Sequence, residues 1–571
     1  MSTDYQKLAL PYAAAPERDR SEVGHRRVIV VGGGPVGLTL AIDLARYGTP
    51  VLLLDDDDKL SSGSRAICFA KRTLEIWDRL GCGETITRKG VSWSVGKVFF
   101  QDALLYTFDL LPEAGHRRPA FVNLQQYYAE GLLYEHALAQ PDLEMRWKHK
   151  VVGVEATPEC VAVTVETPDG AYRLRCDYLV ACDGSRSPVR GMLGLETRGQ
   201  VFRDRFLIAD VKMSADLPTE RRFWFDPPFH RGGSALMHRQ PDDVWRIDFQ
   251  LGWDADPVAE RQPERVVPRV RAMLGEDVPF ELVWCSVYTF ACMRMAHFRH
   301  GRILFAGDSA HGVSPFGARG ANSGVQDADN LAWKLHYVLS GKAPDRLLDT
   351  YGTERERAAD ENIMHSTRST DFLTPKSEMS RIFRDAVLGL ARDHPFARRL
   401  VNAGRLSTAT TLADSPLNTP DAERFAGAMV PGAAAADAPI VVDDRDEWLL
   451  NRIGERFVAM HFADASDGGA STRAFASAFA SAFAGDPARP GRSSVDAMRV
   501  EPLLVVAAGV GPPTATGLPL AVDAQRMLSA RYDAKPGTTY LFRPDQHVCA
   551  RWRAFDADGL RRAVARATCN G

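Results

Sequence analysis

The sequence predicts a fold of mixed α/β and α+β class, in which a Rossmann-like dinucleotide-binding domain carries an inserted β-sheet domain and a separate C-terminal domain. Three observations predict it. A glycine fingerprint separates a strand pattern from a helix pattern near residue 32, a second glycine-rich loop follows a strand pattern near residue 307, and aromatic strand patterns lie between them. A chain of 571 residues is too long for one hydrophobic core, which agrees with several domains.

Composition and charge restrict the classes of function. The formal net charge is -3, so the chain lacks the basic excess typical of nucleic-acid-binding proteins. No apolar run reaches the roughly 20 residues that a membrane helix needs. We interpret residues 1–26 as an N-terminal extension, because they lack the apolar core of a secretory signal. Nine cysteines without a C-x-x-C pair indicate free thiols and a cytoplasmic location.

The stretch RRVIVVGGGPVGLTLAIDLARYGTPVLLLD predicts a strand, a glycine turn, a helix and a second strand. Gly32, Gly34 and Gly37 form a G-x-G-x-x-G fingerprint, which permits a tight turn, close approach of the backbone to a pyrophosphate, and close packing of the helix. Asp55 ends the second strand, where a carboxylate can bind a ribose hydroxyl. This context predicts a dinucleotide site, and by itself it fits FAD or NAD.

The loop GDSAHGVSPFGARGANSG favours FAD. It follows the strand pattern GRILF and precedes a helix predicted from about Asn322, so it can present the N–H groups of a helix start to an electron-rich acceptor. Gly307 ends the strand, and Asp308 can bind a polyol or ribityl hydroxyl. A small polar coenzyme bound at the first glycine loop does not need a second loop so late in the chain, whereas a long flavin dinucleotide does.

In these motifs the chain resembles the FAD-dependent aromatic hydroxylases, the single-component flavoprotein monooxygenases that include p-hydroxybenzoate, phenol and 3-(3-hydroxyphenyl)propionate hydroxylases. The family's three motifs occur here in order, as Gly32–Gly37, as DYLVACDGSRSPVR with Asp183, and as the loop that begins at Gly307. YGTERER resembles the motif that closes the FAD domain of the family. The resemblance covers residues 27 to 357 and implies FAD as cofactor and NAD(P)H as reductant.

The resemblance also implies cofactor contacts at single positions. Arg65 matches a family arginine near the FAD phosphates, Gln126 matches a Gln or Arg that contacts FAD, and Asp183 matches an acid near the pyrophosphate. With the positions argued above, the expected cofactor-binding residues are Gly32, Gly34, Gly37, Asp55, Arg65, Gln126, Asp183, Gly307, Asp308, Pro315, Gly320, Ala321 and Asn322. The last four match the loop that lies against the flavin ring in the family. We predict no metal site.

Residues 194–288 are expected to form the substrate-binding domain, because RFWFDPPF, SALMHRQ and DVWRIDFQLGW have the alternation and aromatic content of strands. In the family, such a sheet covers the isoalloxazine and the aromatic substrate. A loose alignment nominates Arg246 as a flavin contact and His238 and Asp248 as pocket residues. These three are the catalytic candidates, and for each of them a role in sheet pairing or at the surface remains the alternative.

The remaining chain divides at changes of composition. We assign residues 27–193 and 289–373 to the FAD-binding domain, 374–440 to a helical segment and linker, and 441–571 to a C-terminal domain. The last resembles the thioredoxin-like domain of the phenol hydroxylase branch, but it lacks the C-x-x-C motif that redox exchange requires. The phenylalanines of AFASAFASAFAG lie four positions apart and predict a core-facing or dimer-facing stripe, which leaves a homodimer open.

The resemblance implies a reaction in which NAD(P)H reduces FAD, O₂ adds at the flavin C4a, and the hydroperoxide transfers OH to an activated phenolic ring. The expected partners are therefore a small phenolic substrate and O₂, without nucleic acid or membrane. Two alternatives stay open. One is hydroxylation or epoxidation of a polycyclic, polyketide-type substrate on the same scaffold, and the other is a non-enzymatic flavoprotein that acts as an interaction module.

Overall fold

The computed structural model describes residues 5–19, 22–61, 66–401, 406–464, 466, 469–479, 499–509 and 517–571. Within these ranges the chain forms five β-sheets and the α-helices that cover them. No helix in the described ranges combines the length and the apolar character needed to cross a bilayer. All nine cysteines are free thiols.

Runs of consecutive strands are separated by single helices or short groups of helices. The strands are β1 Gly24–Val31, β2 Val51–Asp55, β3 Cys68–Ala70, β4 Val91–Trp93, β5 Val95–Phe100, β6 Ala103–Asp109, β7 Phe121–Asn123, β8 Leu143–Trp147, β9 Lys150–Ala156, β10 Val161–Thr167, β11 Gly170–Ala181, β12 Thr197–Val201, β13 Arg205–Lys212, β14 Arg221–Phe225, β15 Ser234–Arg239, β16 Val244–Leu251, β17 Glu281–Tyr288, β18 Ala291–Met295, β19 Arg299–His300, β20 Ile303–Phe305, β21 His311–Gly312, β22 Pro439–Val442, β23 Arg445–Trp448, β24 Phe457–Phe462, β25 Val500–Ala507, β26 Leu520–Asp523, β27 Thr539–Phe542 and β28 Val548–Trp552. The helices are α1 Pro35–Arg46, α2 Lys71–Leu80, α3 Gly83–Lys89, α4 Gln126–Leu138, α5 Pro188–Met192, α6 Pro257–Glu260, α7 Pro263–Leu274, α8 Gly320–Leu339, α9 Asp349–Leu373, α10 Glu378–Ala391, α11 Pro395–Val401, α12 Ala470–Ala478, α13 Met527–Arg531 and α14 Ala557–Ala567.

A central sheet of eight strands has the order β19-β20-β11-β1-β2-β8, and β10 and β9 extend it from β11. The neighbours from β20 to β8 pair in parallel. Parallel strands between helix layers are buried on both faces, which is why Val28–Val31 of β1 and the first four residues of β2 form continuous apolar runs. The chain leaves β1 through α1 to β2 on one side, and β11 pairs with β1 on the other. A crevice for a ligand is expected at this kind of switch point.

A second sheet of seven strands has the order β17-β13-β16-β15-β14-β5-β6. Side chains of a strand alternate between the two faces of its sheet. On β16, Trp245, Ile247 and Phe249 therefore lie in one apolar core with α7, while Arg246 and Asp248 lie on the opposite face. Residues 194–288 supply five of these strands, and β5 and β6 come from much earlier in the chain. The boundaries of a substrate-binding domain stay a prediction.

The C-terminal part contains a third large sheet, with the order β23-β22-β26-β25-β24-β27-β28. Its strands pack around buried aromatic residues such as Tyr532 and Tyr540. Phe475 and Phe479 are buried in an apolar cluster with Trp333 of α8, so this part of the predicted stripe faces the core. Phe483 lies outside the described residues. The same cluster joins the C-terminal sheet to α8.

Candidate active site

Three neighbouring parallel strands end at the same level of the central sheet. In the register of β1, β11 and β20, Val31 pairs with Ala181, and Ala181 pairs with Phe305. Each of the three predicted motifs begins within two residues of these strand ends. The structure therefore brings together the carboxyl edges from which the glycine fingerprint, the Asp183 motif and the Gly307 loop extend.

The glycine fingerprint forms the turn from β1 into α1. Gly32 has a left-handed φ of +108°, and a Cβ on it would lie 2.4 Å from the carbonyl oxygen of Cys182. A Cβ on Gly37 would lie 1.9 Å from the carbonyl oxygen of Gly32. These two glycines are thus required by the packing of the turn itself.

The packing of the turn does not require a glycine at position 34. A Cβ built on it has no described heavy atom within 4 Å, and its φ of -74° is allowed to any residue. Gly34 lies immediately before α1, whose first N–H groups have no partner within the helix. An open cradle at a helix N-terminus fits the pyrophosphate of a dinucleotide, which is the group that the sequence predicts here.

Asp55, at the end of β2, closes the turn from the side. Its Oδ2 accepts a hydrogen bond from the Gly33 N–H at 2.5 Å, and its Oδ1 accepts one from the Asp57 N–H at 2.8 Å. Burial raises the pKa of Asp55 to about 6, and these two backbone donors act against that rise. The carboxylate therefore fixes the glycine turn, and each oxygen keeps acceptor capacity for a ribose hydroxyl.

Asp183 follows β11 and lies beside the glycine turn. Its Oδ2 accepts a hydrogen bond from the Val189 N–H at 3.0 Å, while its Oδ1 is buried and has no hydrogen-bond partner among the described residues. Burial raises the pKa of this carboxyl group. Arg190 of the same motif donates to the carbonyl oxygen of Ser309 at 2.7 Å, and so connects the second motif to the third. An orphaned buried acceptor next to the cradle fits contact with a bound cofactor.

The turn at Gly307 is held by residues that the sequence analysis did not select. Asp327 of α8 accepts hydrogen bonds from the Gly307 N–H at 3.0 Å, from His311 Nε2 at 2.7 Å and from Arg355 Nε at 2.7 Å. Burial alone would raise the pKa of Asp327, but His311 and Arg355 hold it below its ordinary value. The sequence did carry one signal, because Arg355 belongs to the recognised stretch YGTERER. That Asp327 is the partner of Arg355 could not be inferred from one sequence.

The loop from Pro315 to Asn322 forms the start of α8. The N–H groups of Gly320, Ala321 and Asn322 precede the first helical hydrogen bond, which joins the Ser323 N–H to a carbonyl oxygen one turn earlier. Pro315 is exposed at the mouth of this loop. A Cβ on Gly320 would lie 3.8 Å from Oδ1 of Asp308, which is exposed beside the same helix start. Donors and carboxylate thus face one region, as a ring and a polyol chain require.

The Asn322 side chain is fully engaged inside the protein. Its Oδ1 accepts hydrogen bonds from the Ala70 N–H at 2.8 Å and the Thr73 hydroxyl at 2.7 Å. Its Nδ2 donates to the carbonyl oxygens of Cys68 at 2.8 Å and Ala318 at 2.6 Å. What Asn322 can offer a cofactor is therefore its backbone N–H, while the side chain fixes the loop against β3 and α2.

Gln126, at the start of α4, binds Ala66 directly and Ser61 through Glu130. Its Oε1 accepts a hydrogen bond from the Ala66 N–H at 3.0 Å, and its Nε2 donates to Glu130 at 2.8 Å. Glu130 in turn accepts from the Ser61 N–H at 2.8 Å. Arg65 falls between these anchored ends and lies outside the described residues.

The catalytic candidates lie on the inner face of the second sheet. Arg246 donates from Nε and Nη2 to the two carboxylate oxygens of Asp210, each at 2.8 Å. The guanidinium also lies 5.6 Å from the centre of the Trp284 ring. This bidentate pair fixes a buried positive charge next to His238 and Asp248.

His238 and Asp248 both present buried polar atoms that have no hydrogen-bond partner among the described residues, namely His238 Nε2 and Asp248 Oδ1. Burial, and then Arg221 and Arg246, lower the pKa of His238 well below its ordinary value, so this imidazole is neutral at pH 7. Burial raises the pKa of Asp248 to about 6, against the effect of Arg246 and Arg221. Asp248 therefore titrates close to neutrality.

A cavity opens between this sheet and the Gly307 loop. It has about 600 Å³ of space that no protein atom fills, part of it continuous with solvent. Six aromatic rings line it, together with aliphatic side chains and Gly317. The polar residues of the lining are Lys97, Arg221 and Ser369. The rings are those of Tyr106, Phe108, Phe223, Phe225, Phe316 and Phe372. A concave, mostly apolar space of this kind fits an aromatic ligand.

The sequence matches one protein-family model and is similar to several named enzymes. The family model described as FAD binding domain matches residues 25–366. The 12-dehydrotetracycline 5-monooxygenase/anhydrotetracycline 6-monooxygenase of Streptomyces rimosus is 32% identical over 392 residues, which cover 66% of this chain and 76% of that protein. A probable NADH-specific resorcinol 4-hydroxylase of Rhodococcus jostii is 33% identical over 396 residues, which cover 67% and 70% of the two chains.

Solved structures show the same architecture. The crystal structure of the flavin-dependent monooxygenase PieE, in complex with FAD and substrate, superposes with a TM-score of 0.77 at 22% identity and covers 96% of this chain and 99% of that one. OxyS, an anhydrotetracycline hydroxylase from Streptomyces rimosus, superposes with a TM-score of 0.65 at 26% identity and covers 95% and 99%. The likeness to PieE is one of fold alone.

Proposed function

The chain belongs to the FAD binding domain family, and from that premise we propose that it is a flavoprotein monooxygenase that uses NAD(P)H and O₂ to hydroxylate the ring of an aromatic substrate. One observation carries this proposal. The loop from Pro315 to Asn322 supplies the N–H groups of a helix start, and the same loop supplies Phe316 and Gly317 to the wall of the aromatic cavity. A cofactor ring held by that helix start would lie beside an aromatic ligand in that cavity.

The residues of the central sheet would hold the two ends of FAD. The cradle at Gly34 would take the pyrophosphate, with Asp55 on the ribose and Asp183 near the pyrophosphate. Asp308 would take a ribityl hydroxyl. When bound, FAD supplies electron transfer from NAD(P)H and the activation of O₂.

The helix start at α8 would stabilise negative charge on the cofactor ring. The N–H groups of Gly320, Ala321 and Asn322 lie at the positive end of the α8 dipole. Preorganised donors of this kind favour a charge that develops during a reaction, because they need no reorganisation when it forms. The hydrogen bonds of Asn322 and Asp327 keep this loop and its neighbouring turn in place.

The cavity would position the substrate and keep water away. Its rings, among them Phe223 and Phe316, give a flat apolar surface on which an aromatic ring packs. Exclusion of water from such a site strengthens the electrostatic interactions inside it.

Asp248 shares the sheet face of the cavity residue Phe223 but is not itself part of the cavity wall, and we propose that it takes the proton of the substrate hydroxyl. An ionised phenol carries more electron density at its ortho and para carbons, which an electrophilic oxygen attacks. Asp248 has a buried Oδ1 without a described partner and a pKa near 6, so it is mostly ionised at pH 7 and can accept a proton. His238 is neutral at that pH and would serve as a hydrogen-bonding neighbour. Arg246, fixed by Asp210, would hold positive charge close to the transferred proton.

The proposal includes the finer assignments made from the sequence. Residues 194–288 would form the substrate-binding domain together with β5 and β6, which supply Val98, Tyr106 and Phe108 to the cavity wall. A thioredoxin-like C-terminal domain is supported by a mixed sheet with α12 and α14 packed against it. Free thiols support a cytoplasmic location. A homodimer stays a prediction.

A fused-ring substrate is the second candidate. Two relatives favour it, since the 6-methylpretetramide 4-monooxygenase of Streptomyces rimosus is 31% identical over 461 residues and the 12-dehydrotetracycline 5-monooxygenase/anhydrotetracycline 6-monooxygenase is 32% identical over 392 residues. The six rings that line the cavity give an extended flat apolar surface, which suits a fused-ring ligand.

Anaerobic stopped-flow reduction of the holoenzyme tests both candidates. NADH and NADPH are mixed with oxidised enzyme in the presence of simple phenols, phenylpropionates or fused-ring phenols. We expect at least one class to accelerate flavin reduction tenfold or more, and to yield a hydroxylated product when air is admitted. Acceleration by fused-ring compounds alone would identify the second candidate. Flavin that stays oxidised with every ligand would refute both and leave a non-enzymatic flavoprotein.

A further inference from the structure

We propose that Arg221 binds a planar anion on the aromatic substrate, so that the natural substrates are aromatic acids or aromatic compounds with an ionised 1,3-dicarbonyl group. The inference deepens the proposed function and rests on it, because it assigns the substrate class of the same cavity. It concerns a residue outside the cofactor cradle, which lowers the pKa of Asp248 but does not itself accept the proton of the substrate.

The alternation of β14 places Arg221 in the cavity. Arg221, Phe223 and Phe225 all line the cavity and therefore share one face of the strand. Arg222 lies on the opposite face, where its Nε donates to Glu220 at 2.7 Å. Two adjacent arginines of the same strand thus have different surroundings, and only the first faces the space proposed for the substrate.

Arg221 brings into the cavity a positive charge that is in ion-pair contact with no carboxylate of the described residues. In the part of the chain that the structure describes, its guanidinium forms no hydrogen bond or ion pair, and Asp248 acts on it only from beyond salt-bridge distance. Burial lowers the pKa of Arg221, which shows that the protein environment disfavours its charge. Lys97, the other cation of the lining, is paired with Glu220 at 2.9 Å. A partly buried charge without a partner is costly, and an anionic ligand would offset that cost.

The chemistry of the guanidinium selects the kind of anion. Arginine offers parallel N–H donors in a planar fork, which matches two oxygens held in one plane. A carboxylate presents two such oxygens, and so does the enolate of a 1,3-dicarbonyl compound. The six rings that line the cavity require the rest of the ligand to be flat and apolar. With the anion at Arg221, the ring would extend toward Phe316 and Gly317, and this orientation would decide which carbon is hydroxylated.

Equilibrium binding to the oxidised holoenzyme tests the inference without NAD(P)H or turnover. Isothermal titration calorimetry compares 6-hydroxy-2-naphthoate with 6-hydroxy-2-naphthamide, and ionised 2-acetyl-1,3-indanedione with its neutral 2-methyl derivative. We expect the anion of at least one pair to bind tenfold or more tightly than its neutral partner. The two pairs distinguish a carboxylate from a 1,3-dicarbonyl enolate. Equal affinity, or no binding, within both pairs overturns the proposal.

The variants assign the preference to Arg221. In Arg221→Met the preference for the anion should fall below twofold, in Arg221→Lys it should be weakened but kept, and in the control Arg222→Met it should equal that of the wild type. Without ligand, Arg221→Met should have an equal or higher Tm, because an unpaired charge is removed. An anion preference that survives in Arg221→Met overturns the proposal, even if flavin reduction confirms the enzyme as a monooxygenase. A failure of the proposed function would instead appear as flavin that no ligand helps to reduce.

Discussion

Arg543 and Glu354 form a completely buried ion pair between the C-terminal sheet and α9. Arg543 Nη1 and Nη2 donate to the two oxygens of the Glu354 carboxylate at 2.6 and 3.1 Å, and neither side chain is exposed. Lys334 of α8 donates to the same carboxylate at 2.6 Å. Burial alone would raise the pKa of Glu354, but the two cations hold it well below its ordinary value. The C-terminal part is therefore joined to the cofactor-binding part by charges that water does not reach.

Glu354→Gln should destabilise the protein strongly. The substitution keeps the shape of the side chain but leaves the buried Lys334 without its ion-pair partner and Arg543 with Asp545 alone, which we expect to cost about 3–5 kcal/mol of the free energy of unfolding. Urea denaturation measures this loss. Glu361→Gln, at a partly exposed position of the same helix where the carboxylate lies 3.8 Å from His365, is the control and should change stability by less than about 1 kcal/mol. Equal effects of the two substitutions would contradict the role of the buried pair.

The loss of unfolding free energy in Glu354→Gln should also become smaller at low pH. Because folding depresses the pKa of Glu354, its ionised form stabilises the folded state at every pH above the unfolded value of about 4.3, and this contribution is lost as the pH falls further. The difference between wild type and Glu354→Gln should therefore shrink as the pH falls below about pH 4. A difference that grows on acidification would contradict the sign of the shift.

Gly34→Ala and Gly37→Ala should separate cofactor binding from folding. A methyl group on Gly37 meets the Gly32 carbonyl, which cannot move without distorting the turn, so Gly37→Ala should lose about 1–3 kcal/mol of stability or more. A methyl group on Gly34 meets no described atom, so the apoprotein should keep its stability within about 0.5 kcal/mol. The same methyl would project into the cradle and should weaken FAD binding about tenfold or more. Apoprotein melting and flavin titration measure the two effects, and unchanged flavin affinity in Gly34→Ala would place the pyrophosphate elsewhere.

Asp248→Asn should remove an ionisation from the pH profile of the reaction. The proposed proton acceptor must be ionised, so kcat/KM with the substrate class found by flavin reduction should rise with pH through about 6 and then level off. In Asp248→Asn it should fall about 10²–10⁴-fold and lose this inflection. His238→Gln is the control, because a neutral imidazole contributes no inflection near pH 6. An inflection that persists in Asp248→Asn would assign it to another group.

The pKa of Asp248 also predicts an effect on stability. Its folded pKa lies above the unfolded value of about 3.9, so the folded state binds more protons between these two values and becomes less stable as the pH rises through them. Asp248→Asn should therefore raise the Tm at pH 7. A lower Tm would show that the carboxylate has a partner in solution that offsets its burial.

The parts of the site that are local in sequence could be predicted, and those that depend on distant contacts could not. Gly32 and Gly37 are spaced by the geometry of one turn, so a pattern of six residues predicts the strand, the turn and the helix around them. By contrast, the cavity wall combines β14 with β5 and β6, whose pairing is set by packing between segments far apart in the chain. The charge of Arg221 could be read from the sequence, but its lack of a partner is visible only when all its neighbours are placed.

Asp327 illustrates the same limit inside a recognised motif. The sequence predicted the helix that follows the second glycine loop, but a helical aspartate has no local signal that separates a buried anchor from a solvent-exposed charge. Its partners Gly307, His311 and Arg355 come from a turn, a short strand and another helix. One sequence without structure cannot show that these groups converge.

Asp327→Asn should therefore weaken FAD binding through the position of the Gly307 turn. The amide has one oxygen in place of two and no negative charge, so at least one of the bonds to Gly307, His311 and Arg355 must be lost, at a cost of about 3 kcal/mol in the free energy of unfolding. Loss of the bond to the Gly307 N–H frees the turn that precedes Asp308, and we expect FAD affinity to fall about tenfold or more. Flavin titration and urea denaturation of the same preparation measure both effects.

Asp329→Asn is the matched control for this prediction. Asp329 lies on the same helix and is buried between two arginines, accepting from Arg72 at 3.0 Å and from Arg79 at 2.7 Å, but it has no bond to the Gly307 turn. Its substitution should cost a similar amount of stability and leave FAD affinity unchanged once the fraction of unfolded protein is taken into account. If both variants lose FAD in proportion to their stability, Asp327 only holds the fold together. If only Asp327→Asn loses FAD, the carboxylate positions the turn that the cofactor contacts.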